Sequence, residues 1–527
     1  MELKGRGRRA SVSLLAAPVC FCLAASLVEG QTKTHSPQAP PPSAQSGKQN
    51  KQTPYPTQLN LDLHATPEDA KRILSSVDGL LNFSSEHSGL PIHSHVQGQL
   101  IDRNGVKEKE EAELNKADVM ARLERSGLVL KKLGLIPRDF DLRSFVLDAP
   151  KDALAGFYDP STKIFYMLDW VPVEAQLPVM AHELTHALQD QYVGLEKWMK
   201  LAAAPGEDDS WENGRDEPAI ARRAAAEGQA TAVMLDYILA PYGRTLADAP
   251  SIDRDTIQGI MQRGTQPALL RAPRYIRESA VFPYIYGLEF IHEVLKKGGK
   301  ERAFAAVLRN PPENTHQVMH PTAYLAGERI APLTVAQLQA TLGSNYERLD
   351  QGTFGEFDAL MFGQQYSSYE KARQISTQWR GGYYYAGQRQ KVKTEAKSDA
   401  SGAADLKPAA SPSSAAKPSE DLGSVALFLL SRWSSPAAAR QFADLYASSV
   451  TQRYASATSR RASAKAKEAG ERALVWDTPG GPVSIETRGP LVLVMETFDD
   501  AIASKLRSAA WTRTESAGRL DSPQGSH

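Results

Sequence analysis

Apolar residues recur along this chain with two different periods, and the switches between them mark out its elements. Val179, Met180, Leu184, Ala187 and Leu188 fall on one stripe of a 3.6-residue repeat, and neither Gly nor Pro interrupts Val179 to Tyr192. That spacing predicts a helix, entered through the segment Val171 to Pro178. Just upstream, the β-prone runs Ala155-Gly156-Phe157-Tyr158 and Ile164 to Leu168 flank Asp159-Pro160-Ser161-Thr162, the pattern of a hairpin. A second helix is predicted over Pro218 to Leu239, where Pro suits the first turn and Ala219, Ala221 and Ala224 to Ala226 favour helix. Further helices are expected over Pro67 to Leu81, Lys107 to Leu133 and Arg274 to Lys297, with Tyr284 and Tyr286 in the core of the last. Leu90 to Asp102 reads as a strand. Pro321 marks one more helix start, placing His320 at its mouth and Tyr324 one turn in.

From Ser367 the pattern changes to strands and helices of a separate module. Strands are expected over Trp379 to Ala386, Val425 to Trp433, Ala473 to Trp476, Val483 to Thr487 and Leu491 to Thr497, with helices over Pro436 to Tyr454 and Asp499 to Trp511. Gly381 to Tyr385 reads as an aromatic strand in a core. The resulting class is α+β: a mostly helical catalytic domain with a small antiparallel sheet, followed by a C-terminal α+β domain. The expected division is a leader over 1–30, a disordered linker over 31–60, the main domain with its N-terminal subdomain over 61–365 and the second domain over 366–515. Residues 392–422, dense in Ala, Ser, Lys and Pro, read as a disordered insertion, and 516–527 as a tail.

Chemistry concentrates in His182-Glu183-Leu184-Thr185-His186. Residues four apart share a helix face, so two imidazoles at this spacing can converge on one metal ion. Glu183, one position after the first histidine, can serve as general base toward a water at the metal. His292-Glu293 lacks the second ligand, because position 296 is Lys. The third ligand is expected on another element. Glu227 stands among alanines and is followed by Gly228, which allows close helix packing, so it reads as an inward-facing carboxylate. The plainer alternative is a solvated glutamate on an alanine-rich surface helix, and Asp190 and Glu217 are the next candidates. His320 and Tyr324 are candidate donors to the oxyanion of a hydrolytic reaction, against a capping role at their helix start. His93 and His95 alternate onto one strand face and read as solvent-facing. Glu207 to Asp209 reads as a solvated loop.

His182 to Gln191, followed by Glu227-Gly228-x-Ala230-Thr231, resembles a bacterial family of HExxH metallopeptidases with gluzincin-type architecture. Ala155 to Pro160, Phe282-Pro283-Tyr284 with Gly287 to Phe290, and Gln317 to Pro321 with Tyr324 match the same pattern, so the resemblance spans about Leu90 to Phe362. It implies Zn2+ held by His182, His186 and Glu227, with Glu183 as catalytic acid and base. In zincins of this order the edge strand before the metal-binding helix holds an extended substrate. Gln229 departs from the pattern where an acid is common, and His316 and Ala323 stand where Glu and a basic residue are expected.

Lys4, Arg6, Arg8 and Arg9 precede an uncharged stretch from Ala10 to Val28, the layout of a secretory signal with cleavage after Gly30. An uncleaved segment would instead anchor the chain in a membrane. Either way the remainder is expected outside the cytoplasm. Both cysteines, Cys20 and Cys22, lie in the leader, which excludes disulfides, thiolate zinc and cysteine nucleophiles beyond it. Removing the leader takes four basic and two acidic residues from the balance of 61 and 61, leaving a net charge of −2. No basic patch suits nucleic acid, and no Gly-rich phosphate loop is present. The expected activity is zinc-dependent hydrolysis of a peptide or protein substrate. A zinc-stabilised binding protein that does not cut, and a zinc hydrolase of cell-wall amides, are the alternatives. The sequence sets no oligomeric state.

Overall fold

The computed structural model describes residues 67–114, 117–147, 156–171, 173–199, 216–252, 269, 271–333, 335, 338–390, 422–460 and 472–518. The leader, the linker, Glu207 to Asp209 and nearly all of the expected insertion lie outside the described residues. Within them the chain forms two compact units: 67–121, 143–199 and 216–328 in the first, 122–142 and 329–518 in the second. The class is α+β, as expected.

The first unit runs α1 (Pro67–Ser88), β1 (Gln97–Ile101), α2 (Arg103–Leu114), β2 (Phe157–Asp159), β3 (Ile164–Leu168) and α3 (Val173–Val193). It continues with α4 (Asp216–Leu239), α5 (Arg274–Glu301) and the short helices α6 (Thr315–Met319) and α7 (Pro321–Leu325). The sheet order is β1-β3-β2, with β1 parallel and β2 antiparallel to β3, so the sheet expected to be antiparallel is mixed. The expected hairpin is present. Its turn is closed by Asp159, whose Oδ1 accepts the Ser161 N–H at 2.9 Å, and by Lys163 in the left-handed region at φ 62°.

Phe157, Tyr166 and Leu168 of the hairpin share a core with Val179 of α3, Met234 of α4 and Val281, Tyr284 and Ile285 of α5. The whole predicted stripe of α3 is buried, and α1 and α4 flank it. Helices α4 and α5 meet backbone to backbone: a Cβ on Gly228 would lie 2.2 Å from the Gly287 carbonyl oxygen, so only glycine fits.

Several boundaries differ from expectation. Helix α3 starts at Val173 and carries Pro178 inside it, where one i→i−4 hydrogen bond is lost. The strand expected from Leu90 begins only at Gln97, because the N–H groups of His93 and Ser94 donate to Gln191 Oε1 of α3 at 2.7 and 3.0 Å. His95 is exposed and pairs with Asp78 at 2.7 Å. Of the helix expected over Lys107 to Leu133, the described residues are helical in α2 and over Ala117–Leu133. Helix α5 runs past Lys297 and breaks at Gly299, with φ 74°.

The second unit holds β4 (Tyr346–Thr353), α8 (Glu356–Tyr366), β5 (Trp379–Arg389), β6 (Val425–Trp433) and α9 (Pro436–Arg453). After these come β7 (Thr458–Arg460), β8 (Ala473–Thr478), β9 (Gly481–Arg488), β10 (Leu491–Glu496) and α10 (Asp500–Gly518). All neighbours in the order β4-β5-β6-β10-β9-β8-β7 are antiparallel. Phe428, Leu430, Leu493 and Met495 face Leu506 of α10, whereas Trp433 and Glu496 face Phe442 and Tyr446 of α9. With both faces covered, β6 can be apolar from Val425 to Leu430. Tyr383 and Tyr385 are buried, as an aromatic core strand requires. The domain boundary expected at 365/366 falls inside this unit: β4 lies before it and pairs with β5.

Candidate metal centre

Helix geometry places His182 and His186 on one face of α3, and α4 brings Glu227 against them. His186 Nε2 lies 3.1 Å from His182 Nε2, Glu227 Oε2 lies 3.2 Å from His182 Nε2, and 3.4 Å separates His186 Nε2 from Glu227 Oε2. Donors about 2.0–2.1 Å from a tetrahedral ion should stand roughly 3.3–3.4 Å apart. The three atoms therefore form one face of a tetrahedron of the right size, and this residue set can hold a metal ion. His182 is fully buried, while the His186 and Glu227 side chains keep 13% and 11% exposure, so the group opens to solvent on their side.

Burial alone would neutralise these groups. It works to raise Glu227, but the adjacent His186 and His182 hold its carboxyl far below the usual range. Burial also works against a charged His186, yet Glu227, supported by Glu183, raises it to about 9. Tyr284 of α5 stacks on the His182 ring, with centroids 6.3 Å apart.

Glu183 lies outside the trio of donor atoms. Its Oε2 accepts the backbone N–H of Tyr158, on β2, at 2.9 Å. Burial is the largest influence on Glu183 and raises its proton affinity; the neighbouring histidines and the Tyr158 N–H only partly offset this. The hairpin is tied to α3 a second time, two turns on. Tyr158 Oη and Lys163 Nζ both donate to Asp190 Oδ2, at 2.8 and 2.5 Å, and Asp190 Oδ1 accepts the Leu195 N–H. Asp190, a fallback ligand on sequence grounds, is thus an anchor for the strand beside Glu183. Glu217, the other fallback, accepts the N–H and hydroxyl of Thr315 at 2.7 and 2.9 Å.

Two further candidates stand apart from the trio. Tyr324 donates its hydroxyl to the Asn310 carbonyl at 2.6 Å and packs edge-on against Phe290. His320 occupies the N-cap position of α7 without a side-chain cap hydrogen bond and lies against His316, ring centroids 4.6 Å apart. Neither is one of the three donors that converge at His182, His186 and Glu227.

Sequence reasoning passed over Gln189. Its Oε1 lies 2.8 Å from His186 Nδ1, and its Nε2 donates to Ala226 O at 3.0 Å and Gln229 Oε1 at 2.9 Å. Gln229 in turn donates to Ala303 O and Phe304 O, at 2.8 and 3.0 Å, on the π-helical turn Arg302–Ala306. An acid at 229 would set a carboxylate against two carbonyl oxygens, which accounts for an amide there. The only signal available beforehand was position: Gln189 stands one helical turn beyond His186. Comparison with family models, curated proteins and solved structures finds no match for this chain.

Proposed function

We propose that this chain is an exported, zinc-dependent metallopeptidase with His182, His186 and Glu227 as metal ligands and Glu183 as general base. The observation that carries it is the tripod of donor atoms 3.1 to 3.4 Å apart with a buried, raised-pKa carboxylate alongside. Two imidazoles and one carboxylate are a catalytic rather than a structural zinc set, which would be closed by four protein ligands. A zinc ion held by His182, His186 and Glu227 would supply Lewis acidity toward a substrate carbonyl and would lower the pKa of water to roughly 7.

The protein's own groups do the rest. With Oε2 held by the Tyr158 N–H, Glu183 keeps Oε1 to take a proton from water and pass it to the leaving amine nitrogen. Its raised proton affinity suits that shuttle near neutral pH. The β2 edge itself is poor in donors. The Tyr158 N–H that faces away from β3 is taken by Glu183, and Pro160 has none, so a substrate strand laid there would meet mainly carbonyls.

The test is metal analysis of the purified mature chain together with a broad peptide-library screen. One zinc per chain with chelator-sensitive cleavage supports the proposal. Stoichiometric zinc without cleavage of any peptide favours a binding protein that does not cut, and absence of zinc binding overturns the metal centre.

A further inference from the structure

We propose that Gln229 and Gln189 are positioning residues that lock His186 in its metal-binding tautomer, so that a carboxylate at either position weakens the site. This rests on the reading of His182, His186 and Glu227 as metal ligands.

The direction of the two side-chain amides follows from what lies at the far ends. The carbonyl oxygens of Ala303, Phe304 and Ala226 can only accept hydrogen bonds. Gln229 must therefore turn its NH2 toward Ala303 and Phe304, which leaves its oxygen facing Gln189. Gln189 must turn its NH2 toward that oxygen and toward Ala226, which leaves its own oxygen facing His186 Nδ1. An oxygen at that place demands a proton on Nδ1. The lone pair of neutral His186 then sits on Nε2, the atom facing His182 and Glu227. Amide orientation is ordinarily ambiguous, but here three fixed acceptors leave one solution.

Both glutamines are fully buried, so no solvent is at hand to reverse the chain. The π-helical turn at Arg302–Ala306 supplies the two terminal carbonyls, tying the imidazole on α3 to a distortion beyond α5. A metal-ligating histidine commonly has such an outer partner, and a carboxylate in that role raises ligand basicity. On that general ground Gln189→Glu should tighten metal binding. In this chain it should do the reverse. One carboxylate oxygen would accept from His186 Nδ1–H, but the other would face Ala226 O and Gln229 Oε1 with no proton between them.

The experiment measures zinc affinity by chelator competition on wild type, Gln189→Glu, Gln229→Glu and the uncharged Gln189→Met. Circular dichroism and thermal melts check folding, and nitrogen-15 NMR of the zinc-loaded protein reads which nitrogen of His186 carries the proton. The wild type should carry its proton on Nδ1, and each variant should bind zinc about 10- to 100-fold more weakly, the usual loss when a ligand's outer partner is removed. Where a Glu variant fails to fold, Gln189→Met carries the test. Folded variants with wild-type or tighter affinity, or a wild-type His186 protonated on Nε2 alone, overturn the inference while leaving the metal centre standing. A wild type that binds no zinc overturns both.

Discussion

Two buried glutamates, one in each unit, show how differently a chain can supply a countercharge. Glu496 on β10 accepts from Tyr446 Oη at 2.6 Å, Tyr454 Oη at 2.8 Å and Arg453 Nη2 at 2.7 Å, with Lys132 Nζ at 3.8 Å. Proton donors and permanent cations surround it. Burial works to raise its pKa, but Arg453 and Lys132 bring it down to about 2. Glu227 stands among alanines and keeps 11% exposure, and two imidazole nitrogens at 3.2 and 3.4 Å meet it instead. Imidazoles are both bases and metal ligands, so this second arrangement is suited to exchanging protons for a metal ion. The first is a complete ion-pair network, and the second is a donor set that could hold a metal ion.

The comparison breaks most visibly if Glu227 is replaced. Glu227→Ala should lower zinc affinity by more than the roughly 100-fold upper end for loss of an outer partner, since a ligand itself is gone. Chelator competition measures it, and unchanged affinity would move the third ligand elsewhere. Glu496→Ala should leave metal affinity alone and instead destabilise the chain by about 3–5 kcal/mol, because Arg453 and Lys132 would stay buried without their partner. Urea unfolding of the full chain reads this; a loss below about 1 kcal/mol would show the network to be dispensable.

Acid should sharpen the same contrast. Glu496 has a folded pKa of about 2 against an ordinary 4.5. A depressed carboxyl contributes stability that is complete above pH 4.5 and lost as pH falls through about 2. The shift corresponds to about 3 kcal/mol. Wild type should therefore lose more stability between pH 5 and pH 2 than Glu496→Gln does, and equal slopes would contradict the assignment. Gly228→Ala tests the packing beneath Glu227: its methyl group would fall 2.2 Å from the Gly287 carbonyl oxygen, so α4 and α5 would have to part. Overpacking of this kind costs about 1–3 kcal/mol. The melt should fall accordingly, with some loss of zinc affinity as Glu227 is displaced.

How far each feature could be read in advance depends on its range along the chain. His182, Glu183 and His186 are local to one helix, so 3.6-residue periodicity suffices to bring them together. Glu227 needed a chemical argument, that an acid among alanines beside Gly228 faces inward, and the Gly228–Gly287 approach bears out the packing half of it. The amide chain was out of reach because it depends on carbonyls of Ala303 and Phe304, which carry no side-chain signature. The strand β4 was missed for a different reason. Tyr-Glu-Arg-Leu-Asp-Gln-Gly-Thr is an edge strand with few apolar positions, and pairing with β5 makes it a strand. Covered strands announce themselves by continuous apolar runs such as Val425 to Leu430 of β6.

Glu183→Gln offers the most direct measurement on the central claim. The amide keeps the side chain's size but cannot take a proton from water. In a zinc-loaded sample on a verified peptide substrate, turnover should fall by roughly a hundredfold or more, the scale of a lost general base, while one zinc per chain is retained. Full turnover by this variant would contradict the mechanism.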